Sequence, residues 1–166
     1  MSRAPDFAEI RPERPEDRAA IRALLSTAFA STAEANLVDA LRADGDLSLA
    51  LVAGDETGLA GFVGLSRATL GGAPALALAP LAVSERRQFE GVGSRLVRAA
   101  IRDLEPRWSG AIVVLGDPLW YARFGFFPAP AVACRWAGPH MMALSVGEAA
   151  SPLVGEMVYA PAFDAL

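Results

Sequence analysis

The sequence predicts an α+β domain with a central mixed, mostly antiparallel sheet flanked by helices. Two observations carry that expectation. Three apolar segments, residues 47–53, 59–70 and 75–83, follow one another through short turns rich in glycine, the pattern of an antiparallel meander. The period then changes. A helical repeat over 91–104 separates the third segment from a further apolar run, 111–115. A crossover of that length lets the two strands it joins lie parallel.

Each element has its own signal. Residues 1–6 read as a flexible tail, with 7–166 forming one domain and 7–11 a short first strand. Pro15, Glu16 and Asp17 open a helix, because proline suits an early helical position and acids favour the first turn. Its apolar residues Ile21, Leu24, Leu25 and Phe29 recur at helical spacing. Residues 34–42 form a second helix with Leu37, Val38 and Leu41 on one face. Segment 75–83 is almost wholly apolar and is expected to be buried on both faces. Leu96, Val97, Ala100, Ile101 and Leu104 mark the core side of the helix that follows. Asp117 and Pro118 start a short helix as N-cap and first residue, and Gly125 caps its far end. Strands are expected at 132–136 and 141–146.

Composition narrows the function. The chain has 166 residues, 53% of them hydrophobic and 20% charged, which excludes disorder as its main state. Its net charge of −4 lacks the basic footprint of a nucleic-acid binder. All fifteen basic residues are arginine. A Walker A loop and a pyridoxal Schiff base both need a lysine, so both are excluded. One Cys and one His exclude a disulfide framework, a Cys-based zinc site and a multi-histidine metal site. The N-terminus has no apolar signal region. The longest uncharged stretch, 68–84, is broken by Gly71, Gly72, Pro74 and Pro80 and is short for a membrane span. The expectation is a cytoplasmic protein bound to neither membrane nor nucleic acid.

The loop after the third strand carries the first chemical signal. Leu81-Ala82-Val83 ends a buried strand, Gly91 and Gly93 follow, and a helix begins. Glycines let a backbone approach a ligand, and a helix N-terminus offers unspent N–H groups and a positive dipole end. Such a turn can hold a pyrophosphate; equally, the glycines can serve only to shape it. A dinucleotide fingerprint needs a third glycine where Leu96 stands, so the Rossmann reading fails. Gln88-x-x-Gly91-x-Gly93 directly after Leu81-Ala82-Val83 resembles the acyl-CoA-binding motif of the GCN5-related N-acetyltransferases, the GNAT family. The resemblance implies a GNAT-like fold, its sheet splayed near residues 83 and 115. It implies acetyl-CoA as cosubstrate. Leu81, Ala82 and Val83 would line its pantetheine arm, and Gln88, Phe89, Glu90, Gly91, Val92, Gly93 and Ser94 its phosphates. Two positions depart from the family pattern, which often has glycine and a basic residue at Phe89 and Glu90. Glu90 brings negative charge to a phosphate site; Arg86, Arg87 and Arg95 can offset it, though each taken alone reads as a solvated cation.

A second segment agrees with the first. Tyr121-x-x-x-Gly125-Phe126 resembles the family element beside the thioester, and with it Phe124 is placed at the cofactor. Together with Gly155-Glu156-Met157-Val158-Tyr159, the chain resembles a bacterial branch of acetyltransferases of unassigned substrate. The implied reaction is attack by an amine on the thioester, in a ternary complex, with release of the CoA thiol. Tyr121 is the implied general acid, since a phenol with a pKa near ~10 stays protonated at neutral pH. Without the resemblance Tyr121 reads as a core aromatic. Segment 75–83 carries no acid that would serve as base. Glu34 is the candidate on the acceptor side, and its plain alternative is a solvated helical charge. The acceptor is a small-molecule or peptide amine, mildly favoured by the net charge to be cationic. A homodimer through the apolar C-terminal segment is compatible with the sequence, and no metal is called for. A non-catalytic acyl-CoA sensor is the alternative, motivated by Glu90 and the missing base.

Other residues carry less. Gly64-x-Ser66-x-Ala68 approaches a nucleophile elbow but runs into a hairpin turn where a helix is required. His140 reads as surface, Cys134 as a small buried hydrophobe, and Met141 and Met142 as strand packing or groove lining. Trp108, Trp120 and Trp136 read as core or groove aromatics.

Overall fold

A computed structural model describes residues 8–147 and 153–166. The tail 1–6 and Phe7 lie outside the described residues. The elements run β1 (Glu9–Pro12), α1 (Arg18–Ala28), α2 (Ala33–Asp44), β2 (Leu47–Asp55), β3 (Gly58–Leu70), β4 (Ala73–Val83), α3 (Val92–Leu104), β5 (Gly110–Leu115) and α4 (Pro118–Ala122). Then come β6 (Phe127–Pro128), β7 (Val132–Ala133), β8 (Met141–Val146) and β9 (Gly155–Tyr159).

The strands form one mixed sheet in the order β1-β2-β3-β4-β5-β8-β6, with β9 paired to β3 and to β7. The meander β2-β3-β4 is antiparallel, as the glycine turns predict. β4 and β5, joined across α3, are parallel. Their pairing is short, running only from Ala75↔Ala111 to Ala77↔Val113. Beyond it β4 continues for six residues to Val83 with no strand on that edge.

Helices cover both faces. α3 buries Leu96, Val97, Ala100 and Leu104 against Leu76, Leu78, Ile112 and Val114. Full burial of each large side chain contributes about 1.5–3 kcal/mol, so the apolar stripe of α3 fixes it to the sheet. Gly61 in β3 brings the start of α3 down close: a Cβ there would stand 2.9 Å from Leu96 Cδ1 and 3.0 Å from Val92 Cγ1. On the opposite face α1 and α2 bury Ile21, Leu25 and Val38 over Val52, Phe62 and Ala82. Leu37 and Leu41 of α2 join the cluster that holds Phe163 and Met157.

An irregularity in β4 matters for the site. Before it, Ala75 and Ala77 belong to the α2 face while Leu76 and Leu78 face α3. The register between β3 and β4 jumps from Leu65↔Leu78 to Val63↔Leu81. After the jump the parity is reversed, and odd-numbered Leu81 and Val83 pack on the α3 side. A bulge re-aims side chains in this way and tolerates a proline, here Pro80. The expectation of burial on both faces holds for 75–78 and relaxes from Ala79 onward, where buried and half-buried positions alternate.

One expectation needs correction, and one strand lies where none is expected. The strand expected over 132–136 is confined to Val132–Ala133, because the Ala137 N–H bonds the Cys134 carbonyl at 3.0 Å and turns the chain. β9 carries no clear strand signal in the sequence, since only Met157 among its five residues is buried. It is held from outside, by pairing with Ala68–Leu70 of β3. No helix among the described residues is long and apolar enough to cross a membrane.

Candidate active site

α3 begins without a side-chain cap. Its N-cap is Gly91, in the left-handed region at φ +81°, where an L side chain is strained and glycine is not. The first N–H groups of a helix have no partner inside it. The residues of the first turn here border the same cavity as the end of β4. That cavity, of about 680 Å3, fills the corner between them. Leu81 and Val83 form one wall, and Gln88, Phe89, Gly91, Val92, Gly93 and Ser94 another. Trp120 of α4 and Arg123, the residue that caps α4, also line it.

Most of the loop residues expected from the sequence are therefore together. Three are placed differently. Ala82 is buried on the α1 face and does not line the cavity. Glu90 is turned outward to Arg87, whose Nε donates to its carboxylate. Phe124 stands behind Trp120, with ring centroids 4.8 Å apart, and lies under the Arg98 guanidinium at 4.9 Å.

The negative charge of Glu90 is thus matched. Arg87 also pairs with Asp55 at the β2–β3 turn, tying the phosphate-side loop to the sheet edge. Asp55 is held below its ordinary pKa, first by the Thr57 hydroxyl and then by that turn's N–H and Arg87. Phe89 is fully exposed and adopts φ +65°, a conformation that disfavours a bulky side chain. The Gln88 side-chain amide reaches the Val83 carbonyl at 3.5 Å, the outer limit of a hydrogen bond.

Trp120, expected as a core or groove aromatic, lines the cavity, and Arg123, which the sequence reading does not single out, lines it too. Their signal was available: they stand three apart at the end of α4, which puts them on one face. Arg123 Nη2 donates to Ser94 Oγ at 3.4 Å, bridging α4 to the first turn of α3.

Tyr121 lies at the C-terminal end of β5. Asp117 caps α4 by accepting from the Leu119 N–H at 3.0 Å, and the helix delivers Tyr121 inward, 7% exposed. Its ring meets Trp120 edge-to-face at 4.8 Å and Phe126 at 5.6 Å. Burial pushes its pKa up to about 12. Among the described residues no side-chain hydrogen bond holds its hydroxyl, and Tyr121 stands behind Trp120, which lines the cavity, and is not itself a lining residue. Among the described residues, the side-chain polar atoms buried without a partner are Glu34 Oε2 and Ser66 Oγ. Glu34 sits in the first turn of α2, half-buried, with one carboxylate oxygen cut off from water. His140 is exposed, and Met141 and Met142 are core residues. Among the described residues, no group of three or more His, Cys, Asp or Glu is placed to hold a metal ion.

Known proteins share this arrangement. The sequence model of the "Acetyltransferase (GNAT) family" matches residues 12–126. The uncharacterized N-acetyltransferase YhbS of Escherichia coli K12 is 42% identical over 134 residues, spanning 78% of this chain and 80% of that protein. The uncharacterized N-acetyltransferase YjhQ of the same strain is 37% identical over 118 residues, 68% of this chain and 65% of its own. The crystal structure of E. coli YhbS, in complex with CoA, superposes with a TM-score of 0.85 at 35% identity, covering 99% of this chain and 96% of that one. A GNAT family acetyltransferase from Brucella melitensis, in complex with acetyl-CoA, gives 0.80 at 34%, covering 94% and 97%. The family model spans both the glycine loop and the tyrosine segment, the likeness to solved structures runs through the fold, and on that ground the chain belongs to the acetyltransferase (GNAT) family, whose chemistry is acyl transfer from acetyl-CoA.

Proposed function

We propose that the protein moves the acetyl group of acetyl-CoA to an amine by direct attack in a ternary complex, with Tyr121 as general acid. The observation that carries this reading is the parting of β4 from β5 after Ala77 and Val113. It leaves the β4 edge from Leu78 to Val83 beside a cavity that ends on the uncapped first turn of α3. Edge amides and carbonyls suit the amide-bearing pantetheine arm, and the N–H groups of α3 suit a diphosphate. The residues fit the ligand, because of the two acids of the loop Glu90 is already paired with Arg87 and Glu85 does not line the cavity.

In the reaction the amine nitrogen forms a bond to the acetyl carbon and the carbon–sulfur bond breaks. Tyr121 donates its phenolic proton to the departing sulfur and is reprotonated by the proton the amine gives up. A main-chain N–H on the unpaired edge of β4 serves the negative charge that develops on the carbonyl oxygen. Among the described residues, Ser66 is sealed within β3, Cys134 neighbours the Tyr159 hydroxyl, and Ser94 accepts from Arg123 with no base beside it, so a covalent nucleophile is not called for. Glu34 serves the acceptor side, since a cut-off carboxylate oxygen is a position that an ammonium or a proton would satisfy. The non-catalytic alternative loses its first motive with the pairing of Glu90.

Calorimetric titration with acetyl-CoA and CoA tests the reading. Binding is expected; its absence at millimolar ligand overturns the proposal. Tyr121→Phe is expected to keep CoA binding and lower turnover by about 10²–10⁴-fold. Glu34→Gln is expected to raise the acceptor KM and leave CoA affinity alone.

A further inference from the structure

The parting of β4 and β5 opens a second cavity on the sheet face away from α3, with a volume of about 200 Å3. Ala77 and Ala79 of β4 and Val113 of β5 form its floor, at the point where the two strands cease to pair. Trp136, Tyr159 and Phe163 close it. Their rings form a cluster, with Tyr159 5.0 Å from Trp136 and 5.0 Å from Phe163, centroid to centroid. No charged side chain lines the cavity. The Tyr159 hydroxyl has Cys134 Sγ as neighbour at 3.9 Å, and burial, then that sulfur, pushes its pKa up. The three aromatic residues lie beyond residue 126, outside the segment that matches the family model, whereas the glycine loop and Tyr121 lie inside it. The shared segment holds the donor site, and the remainder shapes this cavity.

We propose that this cavity takes the apolar body of the acceptor: a primary amine carrying one aromatic ring or a short branched alkyl group. This inference rests on the acetyl-transfer reading and names its substrate class. Volume sets the size. An apolar cavity of about 150 Å3 holds a benzene molecule, so this one admits a ring with a short arm. Chemistry sets the class. An ammonium group buried without a partner is strongly disfavoured, and the side chains of these walls, Leu166 among them, include no acid. A polyamine or an aminoglycoside would have to strip several such groups of water. For a single amine at the cavity mouth the same environment helps, because desolvation lowers the pKa of an ammonium and yields the uncharged nucleophile. The wall itself then holds no acidic side chain, in keeping with the absence of Asp and Glu from 75–83, and Glu34 of α2 stays the candidate that takes the amine's proton. The net charge pointed to a cationic acceptor; the local walls point to an apolar one, and a contact surface outweighs a screened distant field.

The test uses the full chain, acetyl-CoA and matched amines at one pH, with thiol release as the readout. 2-Phenylethylamine and isoamylamine are compared with spermidine, lysine and an aminoglycoside. kcat/KM is expected to be at least about tenfold higher for the first pair, the discrimination that a few apolar groups supply. Ala77→Leu, which fills the floor from the paired part of β4, is expected to raise the KM for 2-phenylethylamine by about tenfold while CoA binding persists. If that variant does not fold, the amine series on the unaltered chain decides. Equal or better use of spermidine, lysine or the aminoglycoside overturns the inference. So does a preference for isovaleryl-CoA over acetyl-CoA without discrimination among amines, which would give the cavity to the acyl group. Failure to bind CoA at all would instead bring down the acetyl-transfer reading, so the two failures are distinguishable.

Discussion

The ring of Tyr121 lies directly on the backbone of Gly116, so closely that a Cβ on Gly116 would stand 2.2 Å from Cε2 and 2.7 Å from Cδ2 of the ring. Gly116 follows β5, and its N–H is bound to the His140 carbonyl at 3.0 Å, so the backbone does not yield readily. The side chain would have to move instead. A displacement of about 1 Å at a reacting group can cost on the order of 10²-fold in rate.

Gly116→Ala is therefore expected to lower kcat by about 10²-fold with little change in CoA affinity. Steady-state kinetics beside calorimetry checks this. Wild-type kcat in a folded variant would remove Tyr121 from the chemistry.

Gly93→Ala separates stability from binding. A methyl there would meet Val83 Cγ2 and Trp120 Cζ2 at 3.5 Å, ordinary contact, so the fold is expected to stand. Alanine also suits a helix better than glycine, by up to about 1 kcal/mol. Yet Val83, Gly93 and Trp120 all line the larger cavity, and the methyl intrudes on it. The expected result is an unchanged or higher Tm with CoA bound about tenfold more weakly, the effect of modest overpacking.

Phe89→Gly relieves strain. The left-handed backbone costs an L residue about 1–2 kcal/mol, and the fully exposed ring returns little packing. Glycine gives part of that back through the entropy of the unfolded chain. A net gain of about 0.5–1 kcal/mol would raise Tm by about 1–4 °C. CoA binding is expected to persist, since amides rather than the ring hold the ligand. A lower Tm would mean that the ring is held in place by contacts.

Alkali should weaken the fold through its buried phenols. Tyr121 is raised from 10.0 to about 12 by burial, and Tyr159 is raised as well. A raised pKa favours the protonated form in the fold, so the stabilisation is complete below pH 10 and is lost as pH climbs toward 12. For Tyr121 the two-unit difference is worth on the order of 2–3 kcal/mol. Denaturant midpoints between pH 9 and 12 are expected to fall, and to fall less in Tyr121→Phe. The general acid also stays protonated throughout ordinary assays, so turnover should show no alkaline decline from Tyr121 below pH 10.

The meander, the crossover through α3 and the capped start of α4 were legible because each rests on local chemistry: glycine turns, a helical stripe, an Asp-Pro pair. The glycine loop was legible for the same reason, since Gly91 and Gly93 act through backbone conformation. β9 was not, because its partners in β3 lie some ninety residues earlier in the chain. Trp120 and Arg123 were half legible; their shared helix face followed from spacing, but not which cavity that face meets. Phe124 shows the converse, an aromatic in the right segment whose ring faces α3.

The residues by themselves determined the order of elements, the exclusion of lysine-, zinc- and nucleic-acid-based chemistry, and the loop whose amides suit a diphosphate. Only the folded arrangement decided that the bulge at Pro80 turns Leu81 and Val83 to the α3 side, that Arg87 neutralises Glu90, and that three distant aromatic rings close an apolar cavity beside the strand gap. Local propensity acts over a few neighbours along the chain. Register, charge pairing and cavity walls depend on which distant segments meet, and that is settled by packing the whole sheet at once.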